Sequence, residues 1–190
     1  MGVLTADKSI KNQNFSERHL EQKDFDNCTF TGCVFSNADL SLVTFSECIF
    51  INCDFSMAKI TNTSFKDVKF KECKMLGLHF DECNEFLLSF SFENCILNFS
   101  SFQRLKLRKT HFKECKLNEV DFSSTSLVGA IFNNCDLRGS IFNNSVIEQA
   151  DFRTAYNYSI DPENNRIKKA KFSPQGILGL LNKYDIIIDS

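Results

Sequence analysis

The chain has 190 residues, with 22 Lys and Arg against 24 Asp and Glu for a formal net charge of −2. A balance so near zero excludes bulk attraction to nucleic acid or to an anionic membrane as its working principle, and with two Pro and seven Gly no linker tract divides what reads as one domain. The anomaly is 21 Phe with no Trp.

In chain order, residues 1–14 read as an N-terminal lead-in. The opening MGVLTADKSIKNQN has no apolar segment of signal-peptide length, and no later stretch approaches the ~20 apolar residues of a membrane span. A cytoplasmic location without membrane contact is therefore expected. From Phe15 an apolar residue recurs at every fifth position: Leu20, Phe25, Phe30, Phe35, Leu40, Phe45 and onward to Phe80, then again from Phe92 to Phe152. A helix repeats near 3.6 residues and a strand near 2, so a sustained period of five demands a solenoid. Most of the Phe are repeat centres and form the stacked core.

Centres and the residues two before them point inward, so each five-residue step turns the backbone through one side of a square and four steps close a coil. The cysteines test this. Cys33, Cys53 and Cys73 are spaced by 20, as are Cys95, Cys115 and Cys135, while Cys73 and Cys95 are 22 apart. All six fall on one side if two residues are inserted between Phe80 and Phe92. The expected fold is an all-β quadrilateral parallel β-helix of about seven to eight coils, a rod about 35 to 40 Å long at about 4.8 Å per coil, spanning residues 15–172 with a break at 81–91. Cys33, Cys53, Cys73, Cys95, Cys115 and Cys135 form one internal column, and Phe92, Phe112, Phe132 and Phe152 another. Cys serves there as a compact apolar residue. Cys28-x4-Cys33 and Cys48-x4-Cys53 resemble a thiolate zinc pattern, but inward cysteines belong to the core, so neither metal nor cofactor is expected.

Beyond Phe152, Ile167 and Phe172 stay in phase, making Tyr156–Arg166 a looped last coil. Ser173-Pro174 reads as N-cap and first residue of a short helix, and residues 173–190 as a cap. Ile177, Leu180, Leu181 and Tyr184 share a face of that helix, and Ile186, Ile187 and Ile188 suggest a strand. A helix so short must pack on something; these seven residues are the candidate two-fold dimer surface.

Charge is uneven along the chain. Asp24, Asp26, Asp39, Glu47 and Asp54 make residues 24–58 acidic, whereas Arg104, Lys106, Arg108, Lys109, Lys113 and Lys116 form a basic belt over four successive sides. Belts suit nucleic-acid tracking poorly, so no direct nucleic-acid contact is expected. The break, Asp81, Glu82, Glu85, Phe86 and Leu87, joins acidic and apolar residues where the pattern lapses. Together with the acidic stretch it is the candidate partner-binding surface. His19, His79 and His111 each precede a centre and point outward; no nucleophile pair or phosphate loop accompanies them, and no catalysis is expected.

Segments such as Ala38-Asp39-Leu40-Ser41-Leu42 and Cys135-Asp136-Leu137-Arg138-Gly139 resemble the pentapeptide-repeat family over Phe15 to Phe152. More narrowly, Cys73-Lys74-Met75-Leu76-Gly77, Ser91-Phe92-Glu93-Asn94-Cys95-Ile96-Leu97 and the tail from Tyr158-Ser159-Ile160-Asp161 through Ile167-Lys168-Lys169-Ala170-Lys171-Phe172-Ser173 look like its albicidin- and microcin-immunity members, relatives of the quinolone-resistance proteins. The resemblance implies a right-handed β-helix, a homodimer through the C-terminal cap, and a partner in DNA gyrase or topoisomerase IV, protected from a toxin or drug by a rod imitating DNA. The near-neutral charge and a break of only about two residues set this chain apart from acidic members with longer loops. The generic repeat is equally compatible with a scaffold for an unrelated protein.

Overall fold

The residue two places after a centre must turn the chain through a corner. There the backbone is left-handed: Asn12, Asn27, Asn37, Asn52 and Asn62 have φ between 48° and 56°. Asn tolerates that region better than most side chains, and Gly32, with φ of 63°, takes the same corner where an added Cβ would meet the Asn12 Oδ1 at 2.5 Å. The residue before the centre often closes the turn with its own carbonyl or carboxylate. Asp39, Asp54, Asp121 and Asp136 each accept the backbone N–H two residues on, at 2.8–3.3 Å, as Asx turns do.

In the computed structural model, which describes residues 4–21 and 23–187, the straight pieces between corners are short strands: β1 (Leu4–Ala6), β2 (Ser9–Lys11), β3 (Asp24–Asp26), β4 (Thr29–Thr31), β5 (Thr44–Ser46), β6 (Ile49–Ile51), β7 (Ser64–Lys66), β8 (Val68–Lys71), β9 (Phe90–Glu93), β10 (His111–Lys113) and β11 (Ile131–Asn133). All pairings are parallel. The first side stacks β1, β3, β5 and β7, and the second stacks β2, β4, β6, β8, β9, β10 and β11. Bridges along Asn14, Val34, Asp54, Lys74, Ile96, Lys116, Asp136 and Tyr156 make the third side; His19, Asp39 and Lys59, then His79, Ser101, Asp121 and Ile141, make the fourth. The molecule is a four-sided parallel β-solenoid whose core runs along its axis.

Two boundaries differ from expectation. Leu4 and Ser9 already pair with Asp24 and Thr29, so the described part of the segment read as lead-in is the first coil, with Thr5 and Ile10 at its centres. Its less apolar composition hid it. At the other end, strand geometry stops at Asn133, and the seven strands of the second side mark six turns. Bridges from Ile131 through Asp151 to Lys171 carry the ladder on.

Rings stack down the second side, with centroids 4.7 Å apart for Phe30–Phe50, 5.3 Å for Phe70–Phe92 and 4.9 Å for Phe112–Phe132. The Phe70–Phe92 pair spans the insertion at an interplanar angle of only 9°, so the column is continuous. Small residues two before the centres have a polar task as well. Thr63, Thr125 and Ser145 hydroxyls donate to the carbonyls of Leu40, Phe102 and Phe122 at 2.7–2.8 Å, and the Cys53, Cys73 and Cys135 thiols donate to Phe30, Phe50 and Phe112 at 3.4–3.6 Å. The Leu40, Phe102 and Phe122 carbonyls already accept the backbone N–H groups of Val43, Leu105 and Thr125, so the side chain supplies a second donor to the remaining lone pair. All nine cysteines are buried and free.

The cap is not an α-helix. Two tight 3-10 turns, Gly176–Leu180 and Asn182–Tyr184, replace it, although Ser173 Oγ does accept the Gly176 N–H at 3.0 Å, as an N-cap would. Gly179 lies so close to Tyr158 that a Cβ would sit 2.3 Å from its carbonyl oxygen, and its own carbonyl accepts the Ile160 N–H at 2.9 Å. The glycine that permits this docking is also a poor helix former. Lys183 clasps Asp161 at 2.7 Å and Glu163 at 2.6 Å, and the Tyr184 hydroxyl donates to Glu163 at 2.9 Å. Ile186 and Ile187 are not strand, and Ile188 lies outside the described residues.

Candidate partner-binding surface

The insertion falls on the first side, between Phe65 and Leu107. Glu85 takes the place of a centre, and a carboxylate there cannot turn into a Phe-lined core. The segment bulges instead: Asn84 Oδ1 accepts the Phe86 N–H at 2.9 Å, Leu87 adopts φ of 59°, and Phe86 and Leu87 are left 68% and 64% exposed. The missing centre is refilled from below. Phe90 stands where Cys28, Cys48, Val68, Thr110 and Ala130 stand in other coils, is buried, and packs 5.4 Å from Phe80 and 5.0 Å from Phe92. Phe90 is therefore what lets the core survive the bulge.

The acidic candidates separate into two groups. Asp39 is committed to its turn and lies 3.6 Å from His19 and 3.9 Å from Lys59; Asp54 lies 3.8 Å from Lys74. Glu82 accepts the Thr61 hydroxyl at 2.7 Å, and Asp81 sits 3.6 Å from His79 with only 17% of its side chain exposed. Asp39, Asp54 and Glu82 serve the fold, while the Asp81 Oδ1 is buried without a hydrogen-bond partner among the described residues. Asp24, Asp26, Glu47 and Glu85 have no side-chain partner among the described residues, and all four lie on the first side or its corner. They are joined there by Asp67 and by Asp7, whose carboxylate accepts the Asn27 side-chain N–H at 2.7 Å; reading by linear stretches missed both. Reading the residue two after each centre at intervals of 20 finds both.

The register also brings His19 to Asp39, a carboxylate that linear reading did not place beside it. Neither His–Asp contact faces a thiol, because every cysteine is buried. Burial pushes the Cys33 and Cys83 thiols up and Cys48 to about 12, which disfavours the reactive thiolate.

The basic residues are likewise regrouped. Lys113 is drawn into a pair with Glu93 at 2.6 Å, whereas Lys106, Arg108 and Lys109 stand on the first side directly beyond the bulge, exposed and without an ion pair among the described residues. Three coils further, at the end of the same side, are Arg166, Lys168 and Lys169. At the cap, Ile177, Tyr184, Ile186 and Ile187 are about half exposed or more, as is Leu178, while Leu180 packs on the core and Leu181 is half-buried. No described helix is long and apolar enough to cross a membrane, and no described cluster of His, Cys, Asp and Glu is arranged to hold a metal.

Five-residue steps, four parallel ladders and left-handed corners define a four-sided parallel β-solenoid protein. The description of the pentapeptide repeat region matches residues 23–91 and 85–156, and the chain belongs to the pentapeptide-repeat family. Among solved structures it is similar to a trypsin-treated form of QnrB1, a plasmid-mediated fluoroquinolone resistance protein, with 22% identity, a TM-score of 0.50, and coverage of 99% of this chain and 98% of that one. It is also similar to HetL from the cyanobacterium Nostoc sp. strain PCC 7120, a pentapeptide repeat protein involved in heterocyst differentiation regulation, with 14% identity, a TM-score of 0.68, and coverage of 90% and 86%. Identities this low show a common fold. No curated protein matches the chain.

Proposed function

We propose that this rod is a non-catalytic binding protein that engages DNA gyrase or topoisomerase IV and protects it from a toxin or drug of the albicidin, microcin or quinolone type. The observation that carries the reading is the bulge. One coil abandons an otherwise regular pattern to hold two large apolar side chains in solvent, and such an arrangement costs stability unless a partner covers it. The family resemblance of the tail supplies the partner class. The cap, with its exposed Ile177, Leu178, Tyr184, Ile186 and Ile187, is the proposed homodimer surface.

Charge division argues against simple imitation of DNA, which would require an evenly acidic rod. Recognition would instead rest on Phe86 and Leu87 as anchors, with the free acids Asp24, Asp26, Glu47 and Glu85 orienting the partner.

The test is gyrase supercoiling with purified protein titrated in, with and without albicidin, a microcin-type toxin or a quinolone. Rescue at low stoichiometry, lost in a Phe86→Ala/Leu87→Ala variant that melts like the parent, is the expected result. No rescue under any condition, with no topoisomerase subunit recovered from host lysate, would leave the scaffold reading in its place.

A further inference from the structure

The first side is divided by sign about the bulge. As many repeat centres precede the bulge on this side (Thr5, Phe25, Phe45, Phe65) as follow it (Leu107, Leu127, Ile147, Ile167), so Phe86 and Leu87 lie at its midpoint. Before the bulge the charged residues of this side are Asp7, Asp24, Asp26, Glu47 and Asp67, opposed by Lys23 and Lys66; after it they are Lys106, Arg108, Lys109, Arg166, Lys168 and Lys169, opposed only by Glu148. Glu148 is already taken by Arg166 at 2.8 Å.

A surface that is acidic at one end, basic at the other and apolar at its midpoint is complementary to itself turned end over end. We infer that the first side is an antiparallel two-fold interface with a second copy of this chain. The axis passes through the bulge, so that Phe86 and Leu87 of one copy meet the same residues of the other. One coil away from the axis, Asp67 faces Lys109 beside Lys106, and Lys66 lies opposite Arg108. At the ends Asp7 faces Lys168 and Lys169. The coils between oppose Asp24 and Asp26 to Glu148, whose charge Arg166 offsets.

A side about 16 Å wide, five residues at about 3.3 Å each, and about 40 Å long at about 4.8 Å per coil offers roughly 600 Å² per copy. That reaches the lower end of specific, reversible interfaces. The pairing is isologous and separate from the cap, and it buries the two residues assigned above to topoisomerase contact. Self-pairing and partner binding then compete, and the fraction of rods free to bind falls as their concentration rises. The interface itself does not depend on the topoisomerase reading.

A cysteine at the axis tests this. With the native cysteines buried, Glu85→Cys supplies a reactive thiol, and a short bis-maleimide should join two copies through it. Ser124→Cys, on an exposed corner of the fourth side, is the control that should not be joined. Crosslinking through Glu85→Cys should fall about tenfold at 1 M salt, where the screening length is about 3 Å. It should fall similarly in an Asp67→Lys variant and in a Lys106→Glu/Lys109→Glu variant, each alone. Mixing those two variants should restore it, because each reversed half then meets its complement. Absent crosslinking, crosslinking indifferent to salt and charge reversal, or a mixture no better than its components would each overturn the interface, whatever gyrase assays show. Circular dichroism of each variant confirms that the solenoid is intact.

Discussion

At the scale of single residues, the same amino acid carries different meanings by its place in the five-residue step. Phe92 at a centre is one ring in a column, Phe86 stands in solvent, and Phe90 fills a hole left by its neighbours. Truncating Phe90 to Ala should cost about 3–5 kcal/mol, the range for a large buried aromatic, whereas Phe86→Ala should leave the melting temperature within error. Chemical denaturation of the two variants decides between them, and equal losses would show that Phe86 is packed. The buried cysteines make a second residue-scale expectation. Folded protein should react with an aromatic disulfide reagent far more slowly than unfolded protein, which should release thiol from all nine cysteines; fast native reaction at any of them would contradict their enclosure.

Among the elements, the C-terminal cap is held differently from the coils. Repeats are joined by ladders of backbone bonds and stacked rings that pH does not touch, but the cap leans on the ionic clasp of Lys183 with Asp161 and Glu163. Lys183 holds both carboxyls below their usual range, and they hold its amine above its own. A carboxyl depressed in the folded state contributes stability that is complete above its unfolded pKa and is lost as pH falls through the folded one. Cap amides should accordingly lose protection from hydrogen exchange below about pH 4, the ordinary carboxylate range, while amides of the second-side strands stay protected. Loss of both together would mean that the clasp adds nothing. For the proposed cap dimer, Leu181→Asp or Ile187→Asp should produce a smaller species by light scattering when the first-side pairing is screened by salt. An unchanged mass for both variants would remove the cap from the assembly.

For the whole molecule, the regularity of the rod makes each departure from regularity informative, and only some departures could be seen in one dimension. The period of five, the Phe column, the six cysteines on one side and the location of the break are all legible in the sequence, because in a solenoid each residue's environment depends only on its place in the step and on its neighbours one coil away. The first coil was less legible, since Thr5 and Ile10 carry a weaker apolar signal than Phe, although the ladder pairs them as firmly. The cap was misread as a helix because the spacing of Ile177, Leu180, Leu181 and Tyr184 fits one. Close packing of Gly179 on Tyr158, which no pattern records, selects tighter turns.

The candidate site divides along the same line. That residues 81–91 break the pattern, with Phe86 and Leu87 among them, was determined by the sequence, since a carboxylate at Glu85 cannot enter an apolar core. Which acids are free to meet a partner was decided only by the tertiary structure. Asp39 and Asp54 look like Asp24 and Asp26 on paper, but the coil above or below supplies them with His19, Lys59 and Lys74. The opposition of Asp7 and Asp67 to Lys109 and Lys169 across a single side exists only once 20-residue coils are stacked, because stacking converts distance along the chain into position on a surface.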